Sequence, residues 1–325
     1  MKVFVTRAIP EAGIELVRGV AETEVWPGDG PPPREEIMRR APELDGILSM
    51  LTDRMDAEFM DAAPKLRVIS NYAVGFDNVD VPAASQRGIA IGHTPGVLTE
   101  TTADMAFALI MAAARLVQPG IDYVRSGKWH TWDPLLLLGR DVHHATLGIV
   151  GLGRIGTEVA KRARGFDMRV LYSSTSRKPE HERDLGVEYR ELDDLLRESD
   201  FVSLHTPLNE ATRHLMNART LGLMKPTAML VNTARGPVVD SQALYEALKS
   251  RTIAGAALDV TDPEPLPADH QLLTLDNCLV VPHIGSASVQ SREAMAVLAA
   301  RNLAAGLEGK PLPASPNPDA PRRGR

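Results

Sequence analysis

Residues 147–156, LGIVGLGRIG, decide the fold. An aliphatic run suited to a buried strand breaks into Gly151, Gly153 and Gly156, and the following TEVAKRARGF carries helix formers with Val159 and Ala163 on one face. Strand, glycine turn and helix follow without a gap. Gly151 allows the tight turn, Gly153 lets backbone N–H groups approach a pyrophosphate at the helix N-terminus, and Gly156 lets helix and strand pack closely. Leu152, Arg154 and Ile155 complete the turn, and Arg154 offers a cation to the pyrophosphate. A glycine turn with no ligand is the plainer reading, but this spacing between a strand and a helix favours a dinucleotide.

The pattern repeats on both sides. Towards the C-terminus, apolar runs at 170–172, 201–204, 228–231, 256–260 and 279–281 each precede a loop or helix, as in a doubly wound parallel sheet. Ligands of such sheets lie beyond the carboxyl ends of the strands, so residues 173–177, 205–207, 232–236, 259–264 and 282–286 are the expected site. Towards the N-terminus, runs at 3–5, 46–49, 68–70 and 89–91 alternate with helical EAGIELVRGV and AEFMDAAPKL, and the prolines of GDGPPPREEIMRR precede a helix opening at Arg34. The expectation is an α/β chain of two Rossmann-like domains. Residues 101–286 bind the dinucleotide, and residues 1–100 with 287–325 form a flavodoxin-like substrate domain from both chain ends.

TTADMAFALIMAAARLV is apolar almost all round and is expected to be a buried helix at the crossing between domains. The helical pattern at 289–307 is expected to pack back on the first domain. The proline-rich tail GKPLPASPNPDAPRRGR is expected to be extended and partly disordered, with Arg322, Arg323 and Arg325 a solvated terminus.

The 325 residues have a formal net charge of −6, 44% hydrophobic residues and no block of like charges, which speaks against nucleic-acid and membrane partners. Cys278 is the single cysteine, so an internal disulfide and a cysteine pair for metal or redox work are excluded, and no metal is expected. MKVFVTRAIP lacks a sustained apolar run, and no run reaches the roughly 18 residues of a membrane span. A soluble protein of the reducing cytoplasm is the expectation.

The segments NYAVGFDNVD, TPGVLTETTADMAFALIMAAAR, GIVGLGRIG, HTPLNEATRHLMN, VNTARGPVVD, GAALDV, DPEPLP and VPHIGSAS resemble, in order, the D-isomer-specific 2-hydroxyacid dehydrogenases. The resemblance covers residues 40–310, and SGKWHTWDPLLLLGRDVHHATLGIVG is similar to the glyoxylate and hydroxypyruvate reductases. It implies reduction of a small 2-oxo acid to the 2-hydroxy acid. That chemistry needs a cation for the carboxylate, a proton donor for the carbonyl oxygen and a hydride carrier within reach. Arg235, Glu264 and His283 match the family's pattern of Arg, then Glu, then His at strand ends. Arg235 can hold a carboxylate through two parallel hydrogen bonds. His283 must be protonated to donate, whereas a free imidazole, with a pKa of about 6.5, is mostly neutral at pH 7. An ionised Glu264 nearby would favour the imidazolium. Singly, each of these residues reads as an ordinary turn, loop or core residue.

The resemblance also implies that backbone N–H groups of Ala73, Val74 and Gly75 face the substrate carboxylate, and His93 stands where the family commonly has Asn. Cofactor contacts are expected from Thr102, the glycine turn, Ser173, Ser174, Thr175, Arg177, His205, Thr206, Pro207, Thr212, Thr233, Ala234, Asp259 and Gly285. Asp259 resembles the family's acceptor for the nicotinamide amide. A ribose-binding acid is expected about 20 residues past the glycines. Ser174 stands there, and no acid follows until Glu180. Ser174, Thr175, Arg177 and Lys178 suit a 2′-phosphate, which favours NADPH over NADH; a basic loop that takes either cofactor is the alternative.

Trp129 and Trp132 lie in a polar loop, KWHTWD, where each indole would bury roughly 150–250 Å² at an interface. In the reductases that this region resembles, it meets a partner subunit and a Trp shapes the neighbour's substrate cleft. A homodimer, with Trp132 at the substrate, is therefore expected. Phosphoglycerate and D-lactate dehydrogenases, and dinucleotide-sensing corepressors, are the alternatives.

Overall fold

The computed structural model describes residues 1–320, so the expectation for Arg322, Arg323 and Arg325 lies outside the described residues. Two compact units form: Met1–Leu98 with the chain from Ala287 onward, and Thr99–Ser286. Each is an α/β unit built on a parallel sheet.

In the first unit β1 (Lys2–Val5), β2 (Glu22–Val25), β3 (Gly46–Ser49), β4 (Val68–Asn71) and β5 (Ala90–Gly92) form the order β2-β1-β3-β4-β5, the flavodoxin-like winding. β3 and β4 are buried along their whole length, because helices cover both faces of the sheet. On one face Val289–Leu307 packs against β3, β4, β5 and the helix Glu11–Arg18. On the other, Phe59 and Met60 of Ala57–Ala62 join Ile47, Ile69 and Ile91 in a shared core. Asp56 and Asp80 cap the helices Ala57–Ala62 and Val81–Gln86 by accepting from the Phe59 and Ala83 amides. β2, ETEV, was not expected from the sequence: it is an edge strand whose exposed glutamates mask the strand signal.

The tail corrects its expectation. Asn317 is buried; its Oδ1 accepts from Ile91 N–H at 2.9 Å, and its Nδ2 donates to the Ile89 carbonyl at 3.0 Å and to Ser85 Oγ at 3.1 Å. β5 is the open edge of the sheet, and this one side chain pairs the backbone groups that a further strand would have paired. Composition favours disorder, but buried backbone groups at a sheet edge demand partners. Asn317→Ala is expected to destabilise the fold by about 1–3 kcal/mol, the cost of leaving such groups unpaired. A urea midpoint equal to the parent's would show that the tail contributes nothing.

In the second unit the strands are β6 (Thr146–Val150), β7 (Arg169–Ser173), β8 (Glu188–Tyr189), β9 (Phe201–Leu204), β10 (Met229–Asn232), β11 (Gly255–Leu258) and β12 (Cys278–Val280). Their order, β12-β11-β10-β9-β6-β7-β8, is doubly wound, with β6 between β7 and β9. The winding reverses there, the place where dinucleotides bind in such sheets. The two-residue edge strand β8 was not expected, and β11 ends at Leu258, leaving Asp259 and Val260 in the following loop. Thr99–Ala114 is a buried helix against β10, β11 and the helix Arg154–Ala163. Leu116, at φ 52°, ends that run, and a separate helix, Val117–Arg125, buries no residue in this chain. Among the described residues no single helix is long and apolar enough to cross a membrane; this bent pair passes only by length and composition.

Candidate active site

The glycine turn leaves the carboxyl end of β6. Gly151 has φ 98°, and a Cβ there would stand 2.7 Å from the His205 carbonyl oxygen. Gly156 lies so close to the turn that a Cβ would meet the Gly151 carbonyl oxygen at 2.3 Å, which seats helix against strand. Gly153 caps the helix Arg154–Ala163 and has open space where a Cβ would stand, so an anion can approach the amides of the first turn. The end of β7 braces this turn: Gly151 N–H donates to the Ser173 carbonyl and Leu152 N–H to Ser174 Oγ, both at 2.8 Å.

β10, β11 and β12 are neighbours, and the loops beyond their carboxyl ends carry Arg235, Glu264 and His283. Buried Asn232 shapes the first loop, its Nδ2 donating to the Arg235 carbonyl at 2.8 Å and its Oδ1 accepting from Ala234 N–H at 3.0 Å. Asp259 holds the third: it accepts from the amides of Ile284 at 2.6 Å and Gly285 at 2.8 Å, and its carbonyl accepts from His283 N–H at 2.9 Å. Burial raises the Asp259 carboxyl above its ordinary pKa, against the opposing pull of those amides and of His283. His283 sits in the left-handed region at φ 53°, a backbone that non-glycine residues adopt mostly where the surroundings enforce it.

His283 Nδ1 and Glu264 Oε1 are 2.5 Å apart, and Glu264 Oε2 accepts from Thr261 N–H at 3.3 Å. Burial opposes ionisation of Glu264, but the His283 hydrogen bond and charge, the Thr261 amide and the Arg235 charge together hold its carboxyl below the usual value. The charge of Arg235 acts on Glu264, the carboxylate that His283 bonds. An ionised carboxylate beside imidazole Nδ1 leaves Nε2 to exchange a proton with a ligand.

A family model of the D-isomer specific 2-hydroxyacid dehydrogenases, NAD binding domain, matches residues 107–285. The chain belongs to this family. Among its relatives, the glyoxylate reductase of Korarchaeum cryptofilum is 53% identical over 95% of this chain and 93% of its own length. That of Thermococcus kodakarensis is 52% identical over 96% and 95%. Among solved structures, a protein of Thermus thermophilus superimposes with a TM-score of 0.92 at 49% identity, over 97% of this chain and all of its own. An NADPH-dependent glyoxylate/hydroxypyruvate reductase of Sinorhizobium meliloti, in complex with NADP and malonate, gives 0.85 at 31%, over 99% and 98%.

This 2-hydroxyacid dehydrogenase uses a nicotinamide dinucleotide, and its own residues fit one. The glycine turn offers open amides, and Thr233, just past β10, has a buried hydroxyl with no hydrogen-bond partner among the described residues. Thr102 lies beside Gly285, its Cγ2 3.5 Å from where a Cβ would stand. His205, Thr206 and Pro207 follow β9; the His205 ring bonds Ser203 Oγ at 2.8 Å, and desolvation pushes its pKa down to about 4, so it is neutral.

Other expected contacts take different forms. Arg177 is not the free cation that the sequence suggests: its Nε and Nη2 each bond Glu182 at 2.8 Å. That pair, with the Tyr172 hydroxyl, lowers the Glu182 carboxyl to about 2, so any phosphate must share the guanidinium with a carboxylate. The Thr212 hydroxyl is used within its own loop, donating to the Pro207 carbonyl at 2.6 Å and accepting from Asn209 N–H at 2.8 Å. Trp129 and Trp132 are 61% and 79% exposed, so neither is buried within this chain. Ala73, Val74 and Gly75 follow β4 in the first unit. The bracing roles of Asn232, Asp259 and Thr261 were missed. Asn and Thr at strand ends, where their side chains bond nearby backbone, are the signal that marks two of them.

Proposed function

We propose that the chain reduces small 2-oxo acids, glyoxylate and hydroxypyruvate first, to the 2-hydroxy acids, prefers NADPH, and acts as a cytoplasmic homodimer. The His283–Glu264 bond of 2.5 Å, with Arg235 at the same site, carries this reading. Bound NADPH supplies the hydride. Arg235 grips the substrate carboxylate with its two-pronged guanidinium. Ionised Glu264 accepts from His283 Nδ1, and His283 Nε2 gives its proton to the carbonyl oxygen as that oxygen gains negative charge. Thr102, Thr233, Ala234, Asp259 and Gly285 surround the nicotinamide end, and the amides of Arg154 and Ile155 take the pyrophosphate. Relatives bearing the name glyoxylate reductase support the choice of substrate. Loss of NADPH absorbance with a panel of 2-oxo acids tests it; a chain inert towards every acid on the panel would refute it.

Ser173, Ser174 and Thr175 place hydroxyls, and no acid, at the end of β7, which supports NADPH. Ser174→Asp is expected to swing the ratio of kcat/KM between NADPH and NADH about tenfold or more towards NADH, since a carboxylate accepts from a ribose and repels a phosphate. An unchanged ratio would remove Ser174 from cofactor choice.

A second copy of the chain explains the apolar surface of the Val117–Arg125 helix and the loop after it. Val117, Val124, Trp129, Trp132, Leu135 and Leu138 are all exposed there, more apolar surface than solvent favours. Trp132→Ala is expected to change substrate preference more than cofactor KM. A monomeric mass in solution would contradict the dimer.

A further inference from the structure

In the loop after β4 the carbonyls and the amides are treated differently. All three carbonyls are tied down within the first unit. Ala73 O accepts from Thr94 N–H at 2.8 Å, Val74 O from His93 Nδ1 at 2.9 Å, and Gly75 O from Asn71 Nδ2 at 2.9 Å. A trans peptide is planar, with C=O and the next N–H pointing in opposite directions. Fixing these three carbonyls therefore turns the amides of Val74, Gly75 and Phe76 the other way, and none of the three has an acceptor among the described residues. Successive amides presented in this way attract an anion.

Two of the three anchors are side chains, and each is itself held. Asn71 is fully buried; its Oδ1 accepts from Ser49 Oγ at 3.1 Å and from Asn78 Nδ2 at 3.2 Å. Asn78 Nδ2 also donates to the carbonyls of Met50 at 3.0 Å and Asp53 at 2.8 Å, which locks the turn after β3 to the turn after β4. His93 stands past the end of β5. Its carbonyl accepts from Asn302 Nδ2 at 2.8 Å, and Phe76 meets its ring edge-on at 5.4 Å. Because its partner is a carbonyl, His93 Nδ1 must be the donor.

We propose that His93 and Asn71 are positioning residues that hold the peptide planes of the 73–76 loop in the orientation that receives the substrate carboxylate. The inference rests on the reading of the chain as a 2-oxo acid reductase. His93 does this where an amide side chain would serve as well, since both present one N–H donor to the Val74 carbonyl. Without that donor the peptide plane is free to rotate, and the outward amides lose their alignment.

The test compares His93→Phe, which keeps a ring against Phe76 but has no donor, with His93→Asn, which restores one. Thermal melting first checks that both variants fold. Affinity for oxamate, a carboxylate analogue of the substrate, is read by calorimetry on the full chain with NADPH present, beside steady-state constants. His93→Phe is expected to weaken oxamate and raise KM for glyoxylate about tenfold, while kcat and KM for NADPH stay within about twofold, as loss of ground-state binding requires. His93→Asn should stay near the parent. Asn78→Ser, which removes the brace on Asn71 together with the bonds to the Met50 and Asp53 carbonyls, should reproduce a smaller loss. Unchanged oxamate affinity in His93→Phe, an equal loss in His93→Asn, or no oxamate binding to the parent overturns the assignment. Failure of the parent to turn over any 2-oxo acid, with oxamate binding as described, overturns the reductase reading instead.

Discussion

Arg235→Leu is expected to lower kcat/KM for glyoxylate by about a hundred- to a thousandfold, with KM for NADPH within about twofold of the parent. A guanidinium that grips a carboxylate makes two charge-assisted hydrogen bonds, and its loss leaves the substrate's charge in the site without its partner. The guanidinium has a second effect, because its charge helps to hold Glu264 ionised. Arg235→Lys restores the charge but not the fork, so it should recover only part of the loss. Steady-state kinetics on the three proteins measures this directly. A leucine variant with near-parental kcat/KM would mean that the carboxylate is bound elsewhere.

His283→Asn is expected to cost about a hundred- to ten-thousandfold in kcat, the usual contribution of a positioned acid. Asparagine can donate a hydrogen bond but cannot give up a proton at neutral pH, so the variant should still bind oxamate and NADPH. Binding and turnover then separate, which a misfolded variant would not show. Comparable losses of oxamate affinity and of kcat would instead make His283 a binding residue.

Much of this site was legible in the chain. The glycine turn and the strand ends bearing Arg235, Glu264 and His283 stand in strong apolar runs, because both faces of each parallel sheet are covered. β2 and β8 were not legible: they are edge strands, and exposed glutamates at 22 and 24 and a half-exposed one at 188 carry no strand signal. Asn317 was not legible either, since its value lies in pairing with β5, more than 220 residues earlier in the chain. Glu182 sits one turn into the helix Pro179–Leu185, and only folding shows that it comes back to claim Arg177. Nor could residue types show that Asn71 and His93 turn the carbonyls of one loop inward, because that is a matter of peptide-plane direction.

The pH dependence follows from the His283–Glu264 pair. Glu264 lies below the ordinary carboxyl value, so it is ionised at neutral pH beside His283 Nδ1. In the proposed reaction reduction takes a proton from the ring and should fall as pH rises, whereas oxidation of the 2-hydroxy acid returns a proton to it and should rise. The pH profile of kcat/KM for glyoxylate reduction, compared between the parent and Glu264→Gln, tests this most directly. The alkaline fall is expected to move to lower pH in the variant; a fall at the same pH in both proteins would remove Glu264 from the role.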